Sequence, residues 1–188
     1  MLHAIPVKLT VKDVEDGQQI LLLGDPITGL LSVMDSVHHE VHEGEMFAFE
    51  RSASISNGAN MDIRFKTGAK RVHTGLSIAA AGQCVVSLYE AATISAGTPL
   101  SIYNMNRTSS NSPLSSAFHT PTVGATGSVA LVDGRLIAGG STVQTRIGGA
   151  ARIGSEYILK PNTEYLLRIT NTSGVAAVIN PVFEFYEE

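Results

Sequence analysis

Three histidines and three glutamates crowd into the eight residues from His38 to Glu45. Imidazole nitrogens beside carboxylate oxygens are donors that zinc or a harder divalent cation takes. Spacing decides whether they converge. On a strand, His38, Glu40 and His42 share one face while His39 and Glu43 take the other; on a helix, His38 and His42 share a face four residues apart. A zinc-protease helix needs glutamate directly after its first histidine and a second histidine three residues further on. His39-Glu40-Val41-His42 is one residue short of that. Structural zinc sites also recruit cysteines or a distant second pair, and neither is evident. His38, His39 and His42 are the residues a metal would use, but the plainer reading is a polar strand at a subunit interface. There the imidazoles would bond neighbouring carboxylates and make assembly respond to pH.

Other chemistry is less well supported. His119 lies near Ser115 and Ser116, with Asp62 and Asp133 elsewhere. A Gly-x-Ser-x-Gly elbow is missing, since Gly127-Ser128 runs into Val129-Ala130 and Gly140-Ser141 into Thr142-Val143. The glycine pairs at 139–140 and 148–149 lack the Gly-Lys-Ser/Thr ending of a phosphate loop. Tyr103, Tyr157 and Tyr186 are the candidates for stacking on a sugar, and core or rim packing explains each as well. No catalytic set and no cofactor is expected.

The elements that carry these residues read as strands. Tyr165, Leu167 and Ile169 alternate with Leu166, Arg168 and Thr170, a polar turn follows at Asn171–Gly174, and a second run ends in Phe183 and Phe185. Met61, Ile63 and Phe65 alternate with Asp62, Arg64 and Lys66, apolar inward and charged outward. Phe47 and Phe49, Val72–Ala80, Cys84–Glu90 and Leu100–Met105 supply further strands, with a hairpin expected at Ala81-Gly82. Turns about every ten residues are the spacing of a β-sandwich or barrel. The segment Asp35–Glu45 has too few apolar residues, Val37 and Val41, to anchor a helix. Asn104–Ser116 is a polar loop and Gly139–Gly154 an irregular stretch; loops of such length either serve function or move freely.

Composition narrows the class. Of 188 residues, 44% are hydrophobic, 6% aromatic and 16% charged, and the net charge is −4. The charged share is well below the usual ~25%, so part of the surface is covered by copies or a partner, or is neutral Ser/Thr/Asn. Without a Lys/Arg block, nucleic-acid binding is not the main task. The single Cys84 sits between apolar neighbours and reads as a small buried hydrophobe. The longest early apolar run, Ile20–Leu23, is far short of the ~20 residues of a membrane span, and no secretion signal is visible. Residues 1–35 read as an N-terminal arm or hairpin, with alternating Val7, Leu9 and Val11 and a short strand at Gln18–Leu23. They either lie on a neighbouring subunit or add edge strands to their own sandwich, which spans 36–188.

Several motifs together resemble a known group. His38-His39-Glu-Val-His42-Glu-Gly44 with Phe47, Ile63-Arg-Phe-Lys-Thr-Gly68, Glu90, Asn104-Met-Asn-Arg107, Leu159-Lys-Pro-Asn-Thr-Glu-Tyr165 and Phe183-Glu-Phe-Tyr-Glu187 resemble small virion proteins of tailed bacteriophages. These are similar to capsid decoration (cement) or related auxiliary structural proteins, from about Ser36 to the end of the chain. The resemblance implies an all-β, jelly-roll-like antiparallel β-sandwich; the extended N-terminal arm before it is read from residues 1–35, which lie outside the resemblance. It further implies a homotrimer, made in the host cytoplasm, that braces major capsid protein on the outer capsid surface without enzymatic residues. Neither nucleic acid nor membrane is an expected partner. The candidate interface residues are Leu9, Leu22 and Leu30 on the arm, His38 and His42 on the histidine segment, and Arg107 on the 104–116 loop. Two rivals are a carbohydrate- or receptor-binding sandwich of a tail or fibre, and a metal enzyme in a cupin-like barrel.

Overall fold

The computed structural model describes residues 9–12, 19–22, 36–140 and 149–188, with backbone alone for 9–12, 19–22, 36–37 and 149–155. Leu30 lies outside the described residues. Two compact units partition the chain, Met1–His39 and Glu40–Glu188. In the first, β1 (Leu9–Lys12) and β2 (Gln19–Leu22) pair antiparallel, with Leu9 opposite Leu22 and Val11 opposite Ile20. A helix, α1 (Ser36–Glu43), crosses the boundary, its residues from Glu40 onward belonging to the second unit. Among the described residues no helix is long and apolar enough to cross a membrane.

The second unit is a β-sandwich. Its chain order is β3 (Met46–Glu50), β4 (Ala53–Ile55), β5 (Asn60–Lys66), β6 (Val72–Ala80), β7 (Cys84–Glu90), β8 (Thr93–Ser95), β9 (Thr98–Pro99), β10 (Tyr103–Asn104), β11 (Ser116–His119), β12 (Thr122–Ala125), β13 (Val129–Ile137), β14 (Gly149–Leu159), β15 (Glu164–Asn171) and β16 (Ala177–Glu187). One sheet runs β10-β3-β16-β6-β14, with β4 extending the β3 side of β16; the other runs β13-β7-β15-β5-β11-β9. A two-stranded ribbon joins β8 and β12. All pairings are antiparallel.

Most connections between the long strands change sheet. This corrects the hairpin expected at Ala81-Gly82: β6 and β7 lie in opposite sheets, and the dipeptide is an arch between them. A β-carbon on Gly82 would come within 2.7 Å of the Ser173 Cβ, so the arch packs directly against the turn after β15. β15 and β16 are likewise strands of opposite sheets rather than partners. The stretch expected to be irregular at 139–154 is strand from Gly149 onward, laddered to β6. The local sequence of an arch and of a hairpin is the same, turn residues between two alternating runs. Only the pairing partners differ.

The core is where alternation from both sheets meets. Along β16, Ala177, Ile179, Phe183, Phe185 and Glu187 all point inward and are buried. Phe183 stacks on Phe49 of β3 at 5.1 Å and meets Phe65 of the facing sheet at 4.9 Å; Phe185 meets Phe65 edge-on at 5.2 Å. Pro181 is tolerated in this central strand because it falls where the partner changes from β4 to β3, opposite Arg51. β3 departs from the expected alternation, since Met46 and Ala48 are buried along with Phe47 and Phe49. On the other sheet the charged outer rows of β5 and β15 pair off. Arg64 donates two bonds to Glu164 (2.8 and 2.7 Å) and Arg168 two to Asp62 (both 2.8 Å). Truncating Phe183 to Ala removes contacts to both sheets at once. It is expected to cost about 3–5 kcal/mol, read as a lower denaturation midpoint with unchanged slope in chemical unfolding.

Candidate functional site

The histidine segment is a helix, not a strand, and the reason lies at its end. Gly44 takes a positive φ of 73°. The Glu45 N–H then donates to the Glu40 carbonyl (2.9 Å) and the Gly44 N–H to that of Val41 (3.1 Å). That bond pair is a Schellman stop, which favours glycine at this position. A side chain at Gly44 would also collide with Ser109, so the same glycine admits the 105–115 loop against the helix end. Only Val37 and Val41 advertise an apolar face, so the sequence signal that could have found the helix was Glu43-Gly44.

The polar loop is built rather than loose. Asn104 is buried and its amide donates to the Gly44 carbonyl at 2.7 Å. Asn106 donates to the His42 carbonyl at 3.0 Å, and Asn111 to that of Gly44 at 3.2 Å. Three side-chain amides thus serve the carbonyls of His42, at the end of α1, and of Gly44, just past it. Inside the loop, the Asn104 side-chain oxygen accepts from the Asn106 N–H, and that of Asn106 from the Thr108 N–H and hydroxyl. At the far end, the carboxylate of Glu187 is 5% exposed and accepts the Leu114 and Ser115 N–H groups, each at 2.8 Å. The Gly68 N–H donates to the Ser115 hydroxyl, and a β-carbon on Gly68 would strike Leu114. Leu114 itself remains 58% exposed. Between the loop, β3 and the end of β16 lies a cavity of about 320 Å³ lined by Glu45, Phe47, Lys70, Asn111, Leu114 and Glu187.

A second polar cluster sits on the outer side of the same strand end. His73 is buried, stacks on Tyr186 at 4.5 Å, and places Nδ1 3.0 Å from Glu156 Oε1. Its Nε2 lies 3.1 Å from Glu188 Oε1 but off the line of a hydrogen bond, an ion-pair contact at most. Arg71 also reaches Glu188, at 3.0 Å. Burial, then Glu156, Glu188 and Glu40, push the Tyr186 phenol up to about 12. Burial and Glu90 do the same for Tyr165, up to about 12.

The residues singled out by sequence are distributed as follows. His42 and Arg107 come together, one at the end of α1 and the other on the loop bonded to it. His38 and His39 lie on α1, with His38 one helical turn from His42. Leu9 and Leu22 are register partners along the backbone of the β1–β2 ladder. Among the described residues no three histidine, cysteine or acidic side chains are placed to hold a metal ion. The serine–histidine set does not assemble: Ser115 accepts from Gly68, His119 lies 3.1 Å from the Thr120 hydroxyl, and Asp62 is engaged by Arg168. Lys70 and Glu187 escaped the sequence reading. Counting in twos from Phe183 and Phe185 would have found Glu187 on the inward row.

No protein-family model matches the chain, and no curated protein matches it significantly.

A raised phenol means that folding favours the neutral form. Stability from Tyr165 and Tyr186 is therefore complete below the ~10 of a free phenol and is lost as pH climbs toward 12. Spectroscopic titration of the folded protein should show phenolate appearing late at two tyrosines. Tyr186→Phe should remove one late step and shallow the alkaline loss of stability.

Proposed function

We propose that the chain is a non-enzymatic structural protein of a tailed-phage virion. It is a decoration protein that sits on the outer capsid surface, bridges major capsid subunits and works as a homotrimer. The observation that carries this reading is the pre-ordered loop. An eleven-residue polar segment is fastened at both ends by buried Asn104 and Glu187 and leaves Leu114 and Arg107 facing solvent. Holding an exposed leucine on a rigid loop makes sense where that surface docks, because little ordering entropy remains to be lost on binding. The strand order supports a jelly roll. Its eight longest strands run β3-β16-β6-β14 and β13-β7-β15-β5, an arrangement that suits two interleaved Greek keys. A sandwich with a full core and contact-bearing loops suits a brace repeated by symmetry.

A tail or fibre sandwich that binds a carbohydrate is the second reading. Tyr103, 40% exposed on edge strand β10, favours it as a stacking surface. Purified protein added to expanded heads lacking it should bind and raise their resistance to heat. Deleting residues 1–34 should leave the sandwich folded and abolish that binding. Glycan-array binding without any head association would reject the decoration reading in favour of the second.

A further inference from the structure

The cavity beside the loop has an unbalanced charge. Glu45 and Glu187 both line it, and neither carboxylate meets a cationic side chain at ion-pair distance among the described residues. Glu187 is held by two backbone N–H groups, while Lys70 Nζ donates to the Glu187 carbonyl at 3.2 Å. Two carboxylates thus face one ammonium. Phe47 and Leu114 add apolar wall, so the space suits a guanidinium on an aliphatic stem rather than a small inorganic ion. The same loop displays a matching group. Arg107 is exposed, and its Nη1 reaches the Asn104 carbonyl at a long 3.5 Å with no carboxylate beside it among the described residues.

We propose that this cavity receives the Arg107 side chain of a second copy of the chain. The guanidinium lies against Glu45 and Glu187, and its stem lies along Phe47 and Leu114. One loop then carries both the plug and a wall of the socket, so copies around a three-fold axis can each seat the plug in the next copy's socket and close a ring. This rests on the reading that copies assemble, and it names the contact through which they do so.

Charge reversal tests it. Arg107→Glu and Glu45→Arg should each weaken self-association in sedimentation by about ten- to hundredfold, the effect of losing a charge-assisted contact. Combining both reversals in one chain should restore it. Both positions are at least partly exposed, and unchanged circular dichroism and melting confirm that the variants fold; Arg107→Lys should retain part of the association. Singles that associate normally, or a double variant that stays as weak as the singles, would overturn the proposal. A monomeric parent protein whose head binding is nonetheless lost on reversal would put the capsid, not a second copy, in the cavity and overturn it as well. Head binding is scored separately: charge-rescued assembly without head binding leaves this contact standing and removes the decoration reading.

Discussion

The register of β16 is the constraint on which the rest depends. Phe183, Phe185 and Glu187 share one parity along the strand, so the alternation that drives both phenylalanines into the inter-sheet core also turns the Glu187 carboxylate inward. A slip of one residue would expose two aromatics and carry the carboxylate away from the Leu114 and Ser115 N–H groups. The apolar cluster of Phe49, Phe65, Phe183 and Phe185 therefore fixes more than the core. It sets the position of the polar anchor from which the loop hangs. Burying a carboxylate is costly unless it is well bonded, and two backbone donors at 2.8 Å supply that bonding.

From that anchor the surface is assembled by backbone carbonyls and side-chain amides. The end of α1 and Gly44, just past it, offer carbonyls with no intrahelical partner, and Asn104, Asn106 and Asn111 supply the donors. Helix end and loop thus complete each other, which brings His42 and Arg107 into one region although more than sixty residues separate them. The polar cluster at His73 ties the same strand end to β14 through Glu156, and to the segment before β6 through Glu188 and Arg71. Three strands meet there, with the His73–Tyr186 stack lying between the carboxylates.

Much of the fold was legible because a period of two is a strong local signal. β5, β15 and β16 stand where alternation placed them, and the charged residues of β5 lie outward as expected, paired to Glu164 and Arg168. What stayed hidden was set by long-range pairing. Ala81-Gly82 has the composition of a hairpin turn yet spans two sheets, since nothing local distinguishes an arch. α1 was missed because its apolar stripe is thin and its stop signal is one glycine. The loop read only as a polar stretch because each asparagine bond to the helix end reaches a partner that sequence order does not reveal. Glu187 stood in the sequence only as the last residue of the Phe183–Glu187 motif, and its parity with the phenylalanines is the signal that places it inward.

On the proposed reading the 105–115 loop is ordered before any partner arrives. Amide hydrogen exchange on the isolated protein measures this directly. The account predicts slow exchange at Leu114 and Ser115, comparable with the strand amides of β16 and lost in Glu187→Ala. Exchange at the rate of an unstructured peptide across 105–115, with β16 still protected, would contradict it.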